Sequence, residues 1–184
     1  MKKVRIAVFV SGNGSNLQAI IDYESAGHIP HGEIALVLSS RADAYALSRA
    51  ALANIPSAVV SRKEFSDTAE FEKKIESVLR EFKIDLIVLA GYMTILSADF
   101  VKKYPERIIN VHPSLIPSFC GKGYYGLRVH EAALNYGVKV TGATVHFVNE
   151  VPDGGRIILQ KSVMIRKGET PESLQTHVMR NAEW

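Results

Sequence analysis

Apolar runs of strand length alternate along this chain with stretches whose apolar positions recur at helical spacing. Val4 to Val10 is the first run. A turn rich in glycine, Ser11 to Asn16, leads from it into a helical stretch from Ser15 to Ala26 that Gly27 closes. Ile34 to Leu38 predicts a second strand, Ala42 to Ala53 a second helix, and Ser57 to Val60 a third strand. Phe71, Ile75, Val78, Leu79 and Phe82 form one helical stripe, the face that packs on a sheet. Leu86 to Ala90 and Arg107 to His112 predict two more strands, the first apolar on both sides as a central parallel strand is. Beyond Pro113 the pattern turns irregular through Pro117, Gly121, Gly123 and Gly126, before a helix from Leu127 to Asn135 that stops at Gly137. Ala143 to Val148 and Ile157 to Ile165 read as strands flanking the turn Pro152-Asp153-Gly154-Gly155, and Pro171 suits the first residue of a final helix.

Strands separated by helix-length segments imply right-handed crossovers. The expected fold is α/β and Rossmann-like: a mostly parallel twisted sheet with helices on both faces. At 184 residues, one domain covering 1–184 is expected, large enough to bury an ordinary core. An apolar fraction of 47% and a charged fraction of 22% exclude a disordered chain. The longest nearly uncharged run, Ile84 to Met93, is about half of what a bilayer crossing needs, so no membrane partner is expected. Met1-Lys2-Lys3 precedes an apolar run too short for a leader and without a cleavage site, so that run reads as a strand. The single cysteine, Cys120, excludes an intramolecular disulfide and a cysteine-based zinc cluster and suits the cytoplasm. Net charge is +3 with basic residues clustered no further than pairs such as Lys73-Lys74, which excludes a nucleic-acid stripe and suits an anionic small molecule.

In such sheets ligands bind beyond the C-terminal ends of strands, and three features lie there. In Ser11 to Asn16, Gly12 and Gly14 permit a tight turn, and Ser15 or Asn16 can cap a helix whose N-terminus attracts an anion. Leu17 stands where a dinucleotide fingerprint needs its third glycine, and no Gly-Lys-Ser/Thr follows, so the turn is neither that motif nor a P-loop. In Asn110-Val111-His112-Pro113, residues two apart share a face, so an amide and an imidazole stand side by side while Val111 points into packing. Such a pair can hold a developing oxyanion. Asp153 is either a turn residue or the carboxylate that orients His112. His28, His31, His130 and His177 are weaker candidates, His146 reads as a packed or sheet-face residue, Lys122 as a solvated loop residue and Cys120 as incidental.

The segments Ser11-Gly12-Asn13-Gly14-Ser15-Asn16-Leu17-Gln18, Leu89-Ala90-Gly91-Tyr92-Met93, Asn110-Val111-His112-Pro113-Ser114-Leu115 and Asp153-Gly154-Gly155-Arg156-Ile157 occur in this order. Together they resemble the phosphoribosylglycinamide formyltransferase family over nearly the whole chain. The resemblance implies formyl transfer from 10-formyltetrahydrofolate, as co-substrate, to the amino group of glycinamide ribonucleotide in purine synthesis, without a metal. It implies Asn110, His112 and Asp153 as catalytic residues. It also implies Gly14, Ser15 and Asn16 at the phosphate, with Arg180 and Glu183 near the sugar-phosphate. Met93, Thr94, Ile95 and Leu96 would line the folate pocket, with Asn110 and the loop Asn149, Glu150, Val151 and Pro152. Thr68 aligns near a basic folate contact, for which Arg62 or Lys63 can substitute. Thr94 stands in place of a frequent Arg and Arg156 in place of a usual Pro. Family members continue with more helix past the position of Trp184, so the domain is expected to lack the end of its C-terminal helical region. A monomer or homodimer is expected. The rival readings are a methionyl-tRNA formyltransferase, a formyltetrahydrofolate hydrolase, an NADP-dependent oxidoreductase with Arg41 at the 2′-phosphate, and a nucleotide-binding module without catalysis.

Overall fold

A computed structural model describes residues 2–182, which divide into two units, one ending at Ile108 and one beginning at Ile109. The first unit runs β1 (Val4–Val10), α1 (Ser15–Ser25), β2 (Gly32–Ser39), α2 (Tyr45–Leu52), β3 (Ser57–Val59), α3 (Thr68–Glu81), β4 (Leu86–Leu89) and α4 (Ala98–Lys102). β1 pairs in parallel with β2 on one side and β4 on the other, and β3 pairs in parallel with β2. The continuous apolar runs make the strands central: Ala7 to Val10 and Leu36 to Leu38 are wholly buried. Phe71, Ile75, Val78 and Leu79 of α3 are buried as their stripe predicts. Each such side chain contributes about 1.5–3 kcal/mol relative to exposure.

Polar chemistry sets the elements that periodicity did not predict. Glu72 is buried within the α3 stripe, and its carboxylate accepts the Ser97 N–H and hydroxyl, each at 2.6 Å. The Ser97 hydroxyl in turn accepts the Phe100 N–H at 3.1 Å. A capped serine tied to a buried acid thus starts α4, too short to show a helical stripe. α2 begins at Tyr45 rather than at the expected Ala42, because Ala44 is its extended N-cap. Ser15 and Asn16 do not cap α1. Gly14 does, in the left-handed conformation at φ 74°, and supplies no side-chain cap.

The second unit contains β5 (Ile108–His112) from its second residue on, α5 (Leu127–Tyr136), β6 (Val140–Phe147), β7 (Ile157–Met164) and α6 (Pro171–Asn181). β6 runs antiparallel to both β5 and β7. Ala143, Val163, Leu174 and Val178 form a core against which Val111 packs, as strand alternation predicts. Thr170 and Ser173 exchange hydrogen bonds in a capping box ahead of Pro171, the predicted first residue of α6. Among the described residues, seven strands in mostly parallel pairing, alternating with helices, give the α/β class expected. No helix among the described residues is long and apolar enough to cross a membrane.

β6 starts at Val140, ahead of the expected Ala143, and runs through Gly142. A Cβ at Gly142 would lie 2.1 Å from the Lys161 carbonyl oxygen and 2.9 Å from the Ser162 Cα. Backbone cannot yield there without opening the β6–β7 ladder. Gly142→Ala is therefore expected to destabilise the protein by about 3 kcal/mol in urea unfolding, and an unchanged midpoint would refute this close approach.

Candidate active site

The register of β5 on β6 sets Asn110 opposite His146 and His112 opposite Thr144. Asn110 and His112 share a face, as do their partners. On that face the Asn110 Nδ2 lies 3.3 Å from the His146 Nε2. The Asp153 carboxylate sits between the two imidazoles, 3.5 Å from the His112 Nδ1 and 3.6 Å from the His146 Nε2. Its Oδ2 accepts the Gly121 N–H at 2.8 Å. The three residues singled out in the sequence are thus brought together, with the buried His146, read there as a packed or sheet-face residue, joining them.

Backbone groups orient both rings. The His112 Nε2 donates to the Phe119 carbonyl at 2.9 Å, and the His146 Nδ1 donates to the Phe147 carbonyl at 2.9 Å. His112 therefore has an oxygen facing each ring nitrogen. Phe119 reaches it from a left-handed conformation at φ 50°. The segment before it is fastened by Thr144, which is fully buried. The Thr144 hydroxyl donates to the Ser114 carbonyl at 2.7 Å and accepts the Ile116 N–H at 3.1 Å and the Gln160 amide at 3.0 Å. Asp153 arrives on a closed loop. Phe147 N–H donates to the Arg156 carbonyl at 2.9 Å, and a Cβ at Gly155 would fall 1.6 Å from the Phe147 oxygen. No side chain fits at Gly155.

Burial works to raise the Asp153 carboxyl, yet His146, the Gly121 N–H and the charges of the two histidines hold it below the usual carboxylate range. Behind this cluster His130, buried on α5, has neither ring nitrogen hydrogen-bonded. Burial, and then the charge of His112, push it down to about 4. His130 is a neutral neighbour. The Cys120 thiol, which donates to the Pro117 carbonyl at 3.2 Å, is raised by burial and by Asp153.

In the first unit the Ser11 hydroxyl joins two strand ends: it contacts the Ser40 hydroxyl at 2.6 Å and accepts the Met93 N–H at 2.8 Å. That bond fixes the start of the segment Met93, Thr94, Ile95 and Leu96, in which the Met93 and Ile95 side chains are exposed. The turn at Gly14 packs directly on α2, where a Cβ would come within 2.6 Å of Ala46. The amides of Ser15 and Asn16 open α1, whose first-turn N–H groups lack intrahelical acceptors by geometry.

Thr68 is the first residue of α3, and the Arg62 guanidinium meets its hydroxyl at 3.4 Å, so a basic group does stand beside it. In the Asn149, Glu150, Val151, Pro152 loop, the Asn149 Oδ1 accepts the Val151 N–H at 3.0 Å. Arg180 lines a cleft of about 720 Å³ with Arg166, Lys167, Glu169 and His177. There the His177 Nδ1 meets the Glu169 carboxylate at 2.8 Å. Glu183 lies outside the described residues. Arg41 is paired with the Asp43 carboxylate at 2.9 and 2.6 Å, which occupies the fork that a 2′-phosphate would need. Among the described residues no group of three or more His, Cys, Asp or Glu side chains is placed to hold a metal ion.

Residues 4–184 match the model of the family described as formyl transferase. Phosphoribosylglycinamide formyltransferase of Haemophilus influenzae is 47% identical over 175 residues, covering 95% of this chain and 79% of that protein. The trifunctional purine biosynthetic protein adenosine-3 of Homo sapiens is 45% identical over 177 residues, covering 96% of this chain; the chain spans only 17% of that relative's length. The crystal structure of glycinamide ribonucleotide transformylase 1 from Symbiobacterium toebii superposes with a TM-score of 0.90 at 40% identity, covering 97% of this chain and 81% of that one.

Two measurements check the site's supports. Thr144→Val keeps shape but leaves the Ser114 carbonyl and the Ile116 N–H unpaired, so urea unfolding should show a loss of about 1–3 kcal/mol; no loss would mean other groups hold the segment. His130 in the folded chain resists a proton that the unfolded chain binds near pH 6.5. Its contribution is complete above that pH and declines as pH falls toward about 4, by about 3 kcal/mol. His130→Leu should flatten the acid limb of the stability profile over that window, and identical slopes in the two proteins would refute a buried neutral imidazole.

Proposed function

This chain belongs to the formyl transferase family, and we propose that it transfers a formyl group from 10-formyltetrahydrofolate to the amino group of glycinamide ribonucleotide in purine biosynthesis. The products are formylglycinamide ribonucleotide and tetrahydrofolate. The observation that carries this reading is the convergence of Asn110, His112 and Asp153 in one largely buried cluster.

In the proposed reaction a neutral amine attacks the formyl carbon, and the carbonyl oxygen takes on negative charge in a tetrahedral intermediate. The Asn110 amide and the His112 imidazolium donate to that oxygen. Asp153 holds the His112 ring by its Nδ1 and offsets its charge. Collapse releases the folate nitrogen, which takes a proton as the amine loses one. The Gly14, Ser15 and Asn16 amides take the nucleotide phosphate, because an anion satisfies N–H groups that open a helix. Arg180 and Glu183 serve the sugar-phosphate. Met93 to Leu96, Asn149 to Pro152 and the Thr68–Arg62 pair receive the folate.

Removing one oxyanion donor costs a reaction of this kind about 10²–10³ in rate. His112→Ala and Asp153→Asn should each lower kcat on that order in a spectrophotometric formyl-transfer assay, with nucleotide affinity by calorimetry nearly unchanged. Parallel loss of affinity and rate would reduce both residues to structural roles.

A further inference from the structure

We propose that Arg49 is a positioning residue for the Gly14–Asn16 turn, fixing it in the conformation that presents amides to an anion. The inference rests on the reading of that turn as the phosphate site. Arg49 projects from α2 and uses its whole fork on the opposing segment. Its Nε donates to the Asn13 carbonyl at 2.8 Å, one terminal nitrogen to the Asn13 side-chain oxygen at 3.3 Å and the other to the Gln18 side-chain oxygen at 3.0 Å. The guanidinium lies over the Tyr45 ring, 5.0 Å from its centroid, and the Arg49 Cδ would stand 3.4 Å from a Cβ at Gly14. The Ala46 N–H adds a bond to the Gly12 carbonyl at 3.1 Å.

An anion held by amides is repelled by any carbonyl that turns inward. In a turn of two glycines the peptide planes rotate freely unless something captures their oxygens. The Gly12 and Asn13 carbonyls are the ones at risk, and α2 captures both, one through the Ala46 N–H and one through Arg49. By also holding Gln18, the same guanidinium ties the turn to the first turn of α1. A lysine has one donor centre where three separated acceptors must be reached, so it cannot replace this fork. Arg49 further places a positive charge beside the anion without touching it.

The test uses calorimetry with glycinamide ribonucleotide and, separately, with a folate analogue, on the full chain. Arg49→Ala and Arg49→Lys should each weaken nucleotide binding on the order of tenfold, while folate affinity and kcat at saturating nucleotide stay near those of the parent. Arg49→Lys keeps the stem and the charge, so it remains informative should the alanine variant fold poorly. Unchanged nucleotide affinity in Arg49→Lys, or an equal loss of folate affinity, overturns the inference. Ser15→Glu separates the two levels of the argument. A carboxylate at the first residue of a helix favours the helix yet repels an anion there. If Ser15→Glu abolishes nucleotide binding while Arg49→Lys binds as the parent does, the positioning role fails and the phosphate site stands. If Ser15→Glu binds the nucleotide normally, the phosphate reading itself fails, and the inference with it.

Discussion

A carboxylate taken out of water must be matched by donors and positive charge, because the desolvation of an unpaired ion costs several kcal/mol. Asp153 imposes that demand on the second unit. Its oxygens face His112, His146 and the Gly121 N–H, and the result is a carboxyl held below its ordinary range despite burial. The irregular parts of the unit follow from meeting it. Gly155 lacks a side chain so that the loop carrying Asp153 can close on Phe147. Phe119 adopts a left-handed conformation in the segment that delivers Gly121 to the carboxylate. Thr144 ties that segment down from the strand next to His112.

Under the proposed function, the first unit answers a different electrostatic demand with backbone instead of side chains. An anion at a helix start needs amides turned outward and carbonyls turned away. Gly14 supplies the left-handed turn, and α2 comes so close that no Cβ fits between Gly14 and Ala46. Ser11, Ser40 and the Met93 N–H extend the same logic to the neighbouring strand end. The loops at these strand ends have their polar backbone groups tied down, as at Gly12, Asn13 and Met93.

The legible part of this architecture was whatever periodicity encodes. The stripe from Phe71 to Leu79, the buried runs of β1 and β2, the inward Val111 and the start of α6 at Pro171 follow from side-chain spacing alone. Asn110 and His112 on one face came from the same rule. Strand pairing is not encoded locally. His146 could be placed on a face of its strand, but its position opposite Asn110 depends on a register set by long-range contacts. Nothing in the helical spacing marks Glu72 as buried, and only the structure supplies Ser97 as its partner. Backbone partners such as the Phe119 carbonyl and the Gly121 N–H carry no residue-type signal at all. Arg49 was equally silent, since its acceptors lie across a helix–turn contact.

Under the proposed reaction, the Phe119 carbonyl has a consequence for selectivity between ground and transition states. It occupies the His112 Nε2 at 2.9 Å, so a substrate oxygen that seeks this donor must compete with it. A formyl oxygen in the ground state is also a neutral carbonyl and gains little by the exchange. Once the amine has added, the same oxygen bears a full charge, and an anionic acceptor holds an imidazolium more strongly than a neutral carbonyl does. The exchange then favours the intermediate over the substrate. A competing acceptor within the fold thus converts a donor that would bind both states into one that stabilises the charged state preferentially, and only such differential binding accelerates the chemical step.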